Sequence, residues 1–72
     1  MAIRHNVLPL AAMEKLLKMA GADRVGEDAK AALQEVLEEH AMTLGKRAAE
    51  YAKHADRKTV RADDITLADK HA

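Results

Sequence analysis

Between Glu27 and Ala55 the chain carries an apolar stripe that no proline interrupts: Ala29, Leu33, Val36, Leu37, Ala41, Leu44, Ala48, Tyr51, Ala52 and Ala55. These residues recur at helical spacing. At the α-helical rise such an element is roughly 43 Å long and about seven turns carry the stripe. In a chain of 72 residues, what is left on either side makes at most two short helices, too little to cover it. A chain this small buries only about 60% of the surface that its unfolded form exposes. Small domains complete such cores with disulfides, metals or a partner chain. The chain has no cysteine, so disulfides and Cys-based zinc or iron–sulfur sites are excluded. Association with another chain is the expected solution.

The flanks follow the same pattern. Leu10, Met13, Leu16, Leu17 and Ala20 mark one face of a short amphipathic helix, with Pro9 expected in its first turn and Gly21 at its end. Residues 21–26 form a loop with a glycine at each end, and Asp56 to Val60 form a second loop. Arg61 to Ala72 closes the chain as a short helix with Ile65, Leu67 and Ala68 as its apolar positions, Thr59 or Arg61 as its cap, and Asp63 and Asp64 in its first turn. Glu27 and Asp28 at the start of the long helix, and Lys53 and His54 at its end, suit the helix dipole. The expected fold class is all-α, short helix, long central helix, short helix, with residues 1–7 as a tail and 8–72 as one domain. No apolar run approaches the ~20 residues of a membrane span, and residues 1–7 have no secretory apolar region.

Composition excludes several functions. Tyr51 is the only aromatic residue, which argues against base-stacking platforms for single strands or RNA. With no serine or cysteine there is no usual hydroxyl or thiol nucleophile apart from threonine. Glu38–Glu39 and Asp63–Asp64 are helix neighbours that point about 100° apart and share no proton site. His5, His40, His54 and His71 have no i, i+3 or i+4 partner among themselves. No enzyme, metal, cofactor or small-molecule substrate is expected. Net charge is zero, but the charges come in blocks: residues 1–24 and 46–61 are net basic, 25–45 and 62–72 net acidic. Such blocks build a basic edge and an acidic face on one particle.

Three separated segments resemble archaeal histones in order and spacing. They are Leu8-Pro9-Leu10 followed by Ala20-Gly21-Ala22-Asp23-Arg24-Val25; Leu37-Glu38-Glu39; and Ala52 to Ile65, reading AKHADRKTVRADDI. The resemblance covers residues 8 to about 68. The chain departs from that pattern at Gly26, where a Ser or Thr cap is usual, and at Asp56, where glycine is common. The tail is longer and the end less basic.

The resemblance implies a histone fold, in which two chains clasp head-to-tail in a handshake dimer and the first loop of one lies beside the second loop of its partner. It further implies that the dimer binds double-stranded DNA, wraps and compacts it, and assembles into higher oligomers on it, as a nucleoid-associated protein of the cytoplasm. Arg24 would enter the minor groove with Thr59 helping to hold it, while Lys15, Lys18, Lys53, Arg57, Lys58 and Arg61 extend the phosphate contacts. A narrow minor groove attracts Arg without base-specific contacts. Arg57 and Asp64 would form an internal salt bridge. Tyr51, His54, Asp64 and Leu67 would join dimer to dimer, and Gly21 would allow close approach between layers. Arg4, Lys46 and Arg47 are expected as solvated charges. Apart from the resemblance, the same basic residues fit ordinary solvated loops and faces. A heterodimer with another histone, working as a protein–protein module with little DNA wrapping, is the alternative, as is an unrelated helical dimer.

Overall fold

The computed structural model describes residues 7–71. Three helices, α1 (Leu10–Met19), α2 (Glu27–His54) and α3 (Ala62–Lys70), account for the regular structure, with no strand among the described residues. Of the expected tail only Val7 is described, and it is exposed; Arg4 and His5 lie outside the described residues, as does Ala72 at the expected end of α3. The chain divides into two compact units whose boundary, between Glu39 and His40, falls inside α2. None of the helices among the described residues is long and apolar enough to cross a membrane.

Helix ends differ slightly from the sequence reading, for local reasons. Pro9 stands one residue outside α1, in extended conformation (φ −69°, ψ 137°). It contributes its carbonyl, which accepts from Met13 N–H at 3.3 Å, and needs no N–H of its own there. Gly26 precedes α2, and its carbonyl accepts from Ala29 and Lys30. A side-chain carbon at Gly26 would stand 2.7 Å from a carboxylate oxygen of Asp28, so Asp28 fills the space that a capping side chain would use. Arg61, not Thr59, is the residue before α3. Its side chain has no acceptor, and the cap is made in reverse: Asp64 in the first turn accepts from Arg61 N–H at 2.8 Å.

In the first unit, the segment entering α1 is pinned to α2 by polar contacts. Leu8 N–H donates to Glu38 Oε2 at 2.8 Å and Gln34 Nε2 donates to the Leu8 carbonyl at 2.6 Å. Glu38 is buried, 7% exposed. Satisfying both backbone groups of Leu8 lets the chain run across α2 without leaving polar atoms stranded. Met13 is the buried apolar side chain of α1. In the second unit the buried apolar residues are alanines, Ala48 and Ala52 on α2 and Ala68 on α3, small enough for helix backbones to approach closely. Arg47, expected as a solvated charge, is half-buried and donates to the carbonyl of His71, one of the orphan acceptors beyond the end of α3.

Met13, Ala48, Ala52 and Ala68 are the whole buried apolar core of the described chain. No large side chain among the described residues is fully buried. On the central stripe, Ala29, Val36, Ala41 and Ala55 are exposed, Val36 at 61%, while Leu33, Leu37, Leu44 and Tyr51 are half-buried. Leu16, Met42, Val60, Ile65 and Leu67 are exposed as well. Single exposed apolar residues are ordinary, but a stripe left open along the longest helix marks a surface that a partner covers.

Glu38→Ala removes the acceptor of a partly buried N–H and should cost about 1–3 kcal/mol in chemical denaturation. An unchanged midpoint would show that Leu8 is not held by this contact.

Candidate nucleic-acid interface

The two loops grow out of the same helix-ending device. At the end of α1, Gly21 N–H donates to the Lys18 carbonyl and Ala22 N–H to the Leu17 carbonyl, both at 3.0 Å. Gly21 has φ 120°. At the end of α2, Asp56 N–H donates to the Lys53 carbonyl at 2.9 Å and Arg57 N–H to the Ala52 carbonyl at 2.8 Å. Asp56 has φ 61°. This is the Schellman pattern at both ends, with its left-handed residue a glycine once and an aspartate once. Asp tolerates that conformation better than most residues but less well than glycine. Asp56 also sets a negative charge in the middle of a basic segment.

After Asp56 the second loop is organised by Arg57. Its Nη1 donates to the Thr59 carbonyl at 2.9 Å and to Asp64 Oδ2 at 3.1 Å, and its Nη2 donates to Asp64 Oδ1 at 3.1 Å. The planar fork thus holds the carboxylate with both arms and the loop backbone with one. Asp64 is 4% exposed and also accepts from Arg61 N–H, so one carboxylate joins the start of α3 to the loop. Arg57, read from the sequence as a phosphate contact and as the partner of Asp64, has its guanidinium engaged inside the loop. Around it Lys53, Lys58, Thr59 and Arg61 are exposed. Among the described residues none of Lys53, Lys58 and Arg61 has an ion-pair partner. Tyr51 is half-buried, His54 and Leu67 are exposed, and Asp64, committed to Arg57 and Arg61, is the least available of the four residues expected to join dimers.

In the first unit Arg24 is exposed in its loop. Lys15 and Lys18 are exposed on α1, but they are not equivalent. Lys18 pairs with Glu14 at 3.2 Å, whereas Lys15 has no ion pair among the described residues. Glu14 also pairs with Lys30 at 3.1 Å, and Lys30 with Glu27 at 2.6 Å. Sequence reading missed this network: Glu14 and Lys30 lie on different helices, and only the i, i+4 spacing of Glu14 and Lys18 was a local signal.

The Arg57 guanidinium, and next the Arg61 N–H, hold the Asp64 carboxyl below the usual aspartate range. The same pairing raises Arg57. A carboxylate whose pKa falls on folding stabilises the fold above its unfolded value, about 4, and loses that contribution as pH drops through the lower folded value. Asp64→Asn should therefore melt several degrees below the parent at neutral pH, with the gap closing in acid below about pH 3. A gap constant with pH would show that charge is not what Asp64 contributes. Asp56→Gly should stabilise the chain by up to about 1 kcal/mol by relieving the left-handed aspartate, while Asp56→Asn should give less; equal or lower stability for the glycine variant would contradict the strain.

Residues 6–68 match the family model described as histone-like transcription factor (CBF/NF-Y) and archaeal histone. The chain is 56% identical over 63 residues to the archaeal histone HAN1 of Thermococcus zilligii, covering 88% of this chain and 94% of that protein. It is 44% identical over 61 residues to probable archaeal histone 3 of Methanocaldococcus jannaschii, covering 85% and 91% respectively. The short–long–short order of α1, α2 and α3 agrees with that fold, and the chain belongs to the family of histone-like transcription factors and archaeal histones.

Proposed function

We propose that the chain forms a handshake homodimer that binds double-stranded DNA through its phosphate backbone and minor groove, bending and packaging it as a chromosome-associated protein. The observation that carries this reading is the second loop: Lys53, Lys58, Thr59 and Arg61 are exposed around a guanidinium–carboxylate pair that fixes the loop from within. A braced loop presenting unpaired cations suits a ligand with regularly spaced phosphates. The two relatives bearing the name archaeal histone support the same reading.

In the proposed dimer, Arg24 of one chain and Lys58–Thr59 of the other converge on one stretch of DNA, with Arg24 in the minor groove. Lys15 and Lys18 reach neighbouring phosphates from α1. Arg57 acts through the loop it holds. Dimers then stack through Tyr51, His54 and Leu67, with Asp64 contributing its remaining edge, and Gly21 leaves room between layers. Affinity comes from counterion release and falls steeply with salt, and sequence preference follows bendability. A second reading, half of a protein–protein heterodimer with little wrapping, is favoured by the zero net charge and by Asp56 beside the basic loop.

Digestion of the protein on long duplex DNA with micrococcal nuclease, at low and at physiological salt, separates the two. A ladder with a constant step supports wrapping by successive dimers; a featureless smear from folded protein favours the interaction module. Lys58→Ala should lower affinity about equally on all sequences and reduce the salt slope by about one ion per chain. A loss confined to particular sequences would count against backbone binding.

A further inference from the structure

Among the described residues, Glu14 is the one on α1 that touches a cation expected to meet DNA. Its Oε2 stands 3.2 Å from Lys18 Nζ and its Oε1 3.1 Å from Lys30 Nζ. Lys30 is a fixed post: its side chain is 14% exposed, and Glu27 holds it from the other side at 2.6 Å. Lys18 is the outer partner, about half exposed. One carboxylate is thus anchored to a nearly buried lysine of α2 and offers its second oxygen to a surface lysine one turn along α1.

We infer that Glu14 is a built-in counter-ion for the DNA-binding face, anchored by Lys30 so that it occupies Lys18 and sets how strongly the face binds phosphate. The inference rests on the DNA-binding reading above. Phosphate must displace the Glu14 carboxylate from Lys18 to gain that contact, and the displaced carboxylate stays close by because Lys30 retains it. Lys15, one residue from Glu14 and without an ion pair among the described residues, keeps its full charge for phosphate. The lysines, Lys30 first, hold the Glu14 carboxyl below its ordinary range, so it remains ionised wherever DNA binding is measured.

Magnitude limits the effect to tuning. A pair this exposed stabilises little, so a polyanion outcompetes it, and its influence is graded. A lysine that already carries an internal counter-ion also releases fewer salt ions when DNA arrives. Removing Glu14 should therefore change two quantities together, affinity and its salt dependence.

The test is a double-mutant cycle on the full-length protein with duplex DNA, read by equilibrium binding across a salt series. Glu14→Gln should tighten binding roughly two- to tenfold at low salt and steepen the salt slope by about one ion per chain. In the Lys18→Gln background the same substitution should give no more than the small gain that any added positive charge brings. Glu14→Ala should repeat the result, and a helical melt near the parent's confirms that each variant is folded. If the parent binds and Glu14→Gln leaves affinity and slope unchanged, the inference is wrong while the DNA reading stands. A full gain that persists without Lys18 also overturns it, showing a general charge effect. A parent that leaves duplex DNA unbound at low salt overturns the DNA reading, and this inference with it.

Discussion

The apolar stripe of α2 is the constraint on which everything else rests. A 28-residue helix exposes more apolar length than its own chain covers, and what the described chain buries by itself comes to one methionine and three alanines. A second copy resolves this without disulfide or metal. The same solution fits the DNA reading, because a head-to-tail dimer places the first loop of one chain beside the second loop of the other. Stability and binding surface then arise from one association.

Loop geometry supplies the second half of that logic. Both loops leave their helices through the same hydrogen-bond pattern, and the second is held further by Arg57 on Asp64. Internal commitment of one arginine is what leaves Lys58 and Thr59 exposed on a fixed backbone. Overall neutrality does not conflict with binding a polyanion, because the sign of the charge near the ligand matters more than the total. Two acidic residues, Glu14 and Asp56, stand within the basic segments, and they act differently. Glu14 is paired with named lysines, whereas Asp56 occupies a left-handed backbone position.

What was legible in the sequence was whatever local rules encode. Helical spacing placed three helices to within a residue or two at most ends, and Gly21 marked the first stop. Pro9 fell outside α1 by one residue because both the cap and the first-turn positions accept proline, and spacing does not separate them. The braces were not legible. Leu8 and Glu38 are thirty residues apart, Arg47 reaches a backbone carbonyl twenty-four residues on, and Glu14 meets Lys30 from another helix. No propensity or period records such contacts. Arg57 with Asp64 was anticipated only through the resemblance to histones; spacing by itself carries no signal across a loop. In the candidate site, sequence named the cations correctly as charges, but their freedom depends on tertiary partners, which distinguish Lys15 from Lys18 and Lys58 from Arg57.

The most direct measurement of the central claim is sedimentation equilibrium combined with thermal melting over a wide range of protein concentration, without DNA. If the α2 stripe is covered by a second copy, the protein sediments as a helical dimer and its Tm rises with concentration by mass action. A folded, helical monomer whose Tm is independent of concentration would contradict the account.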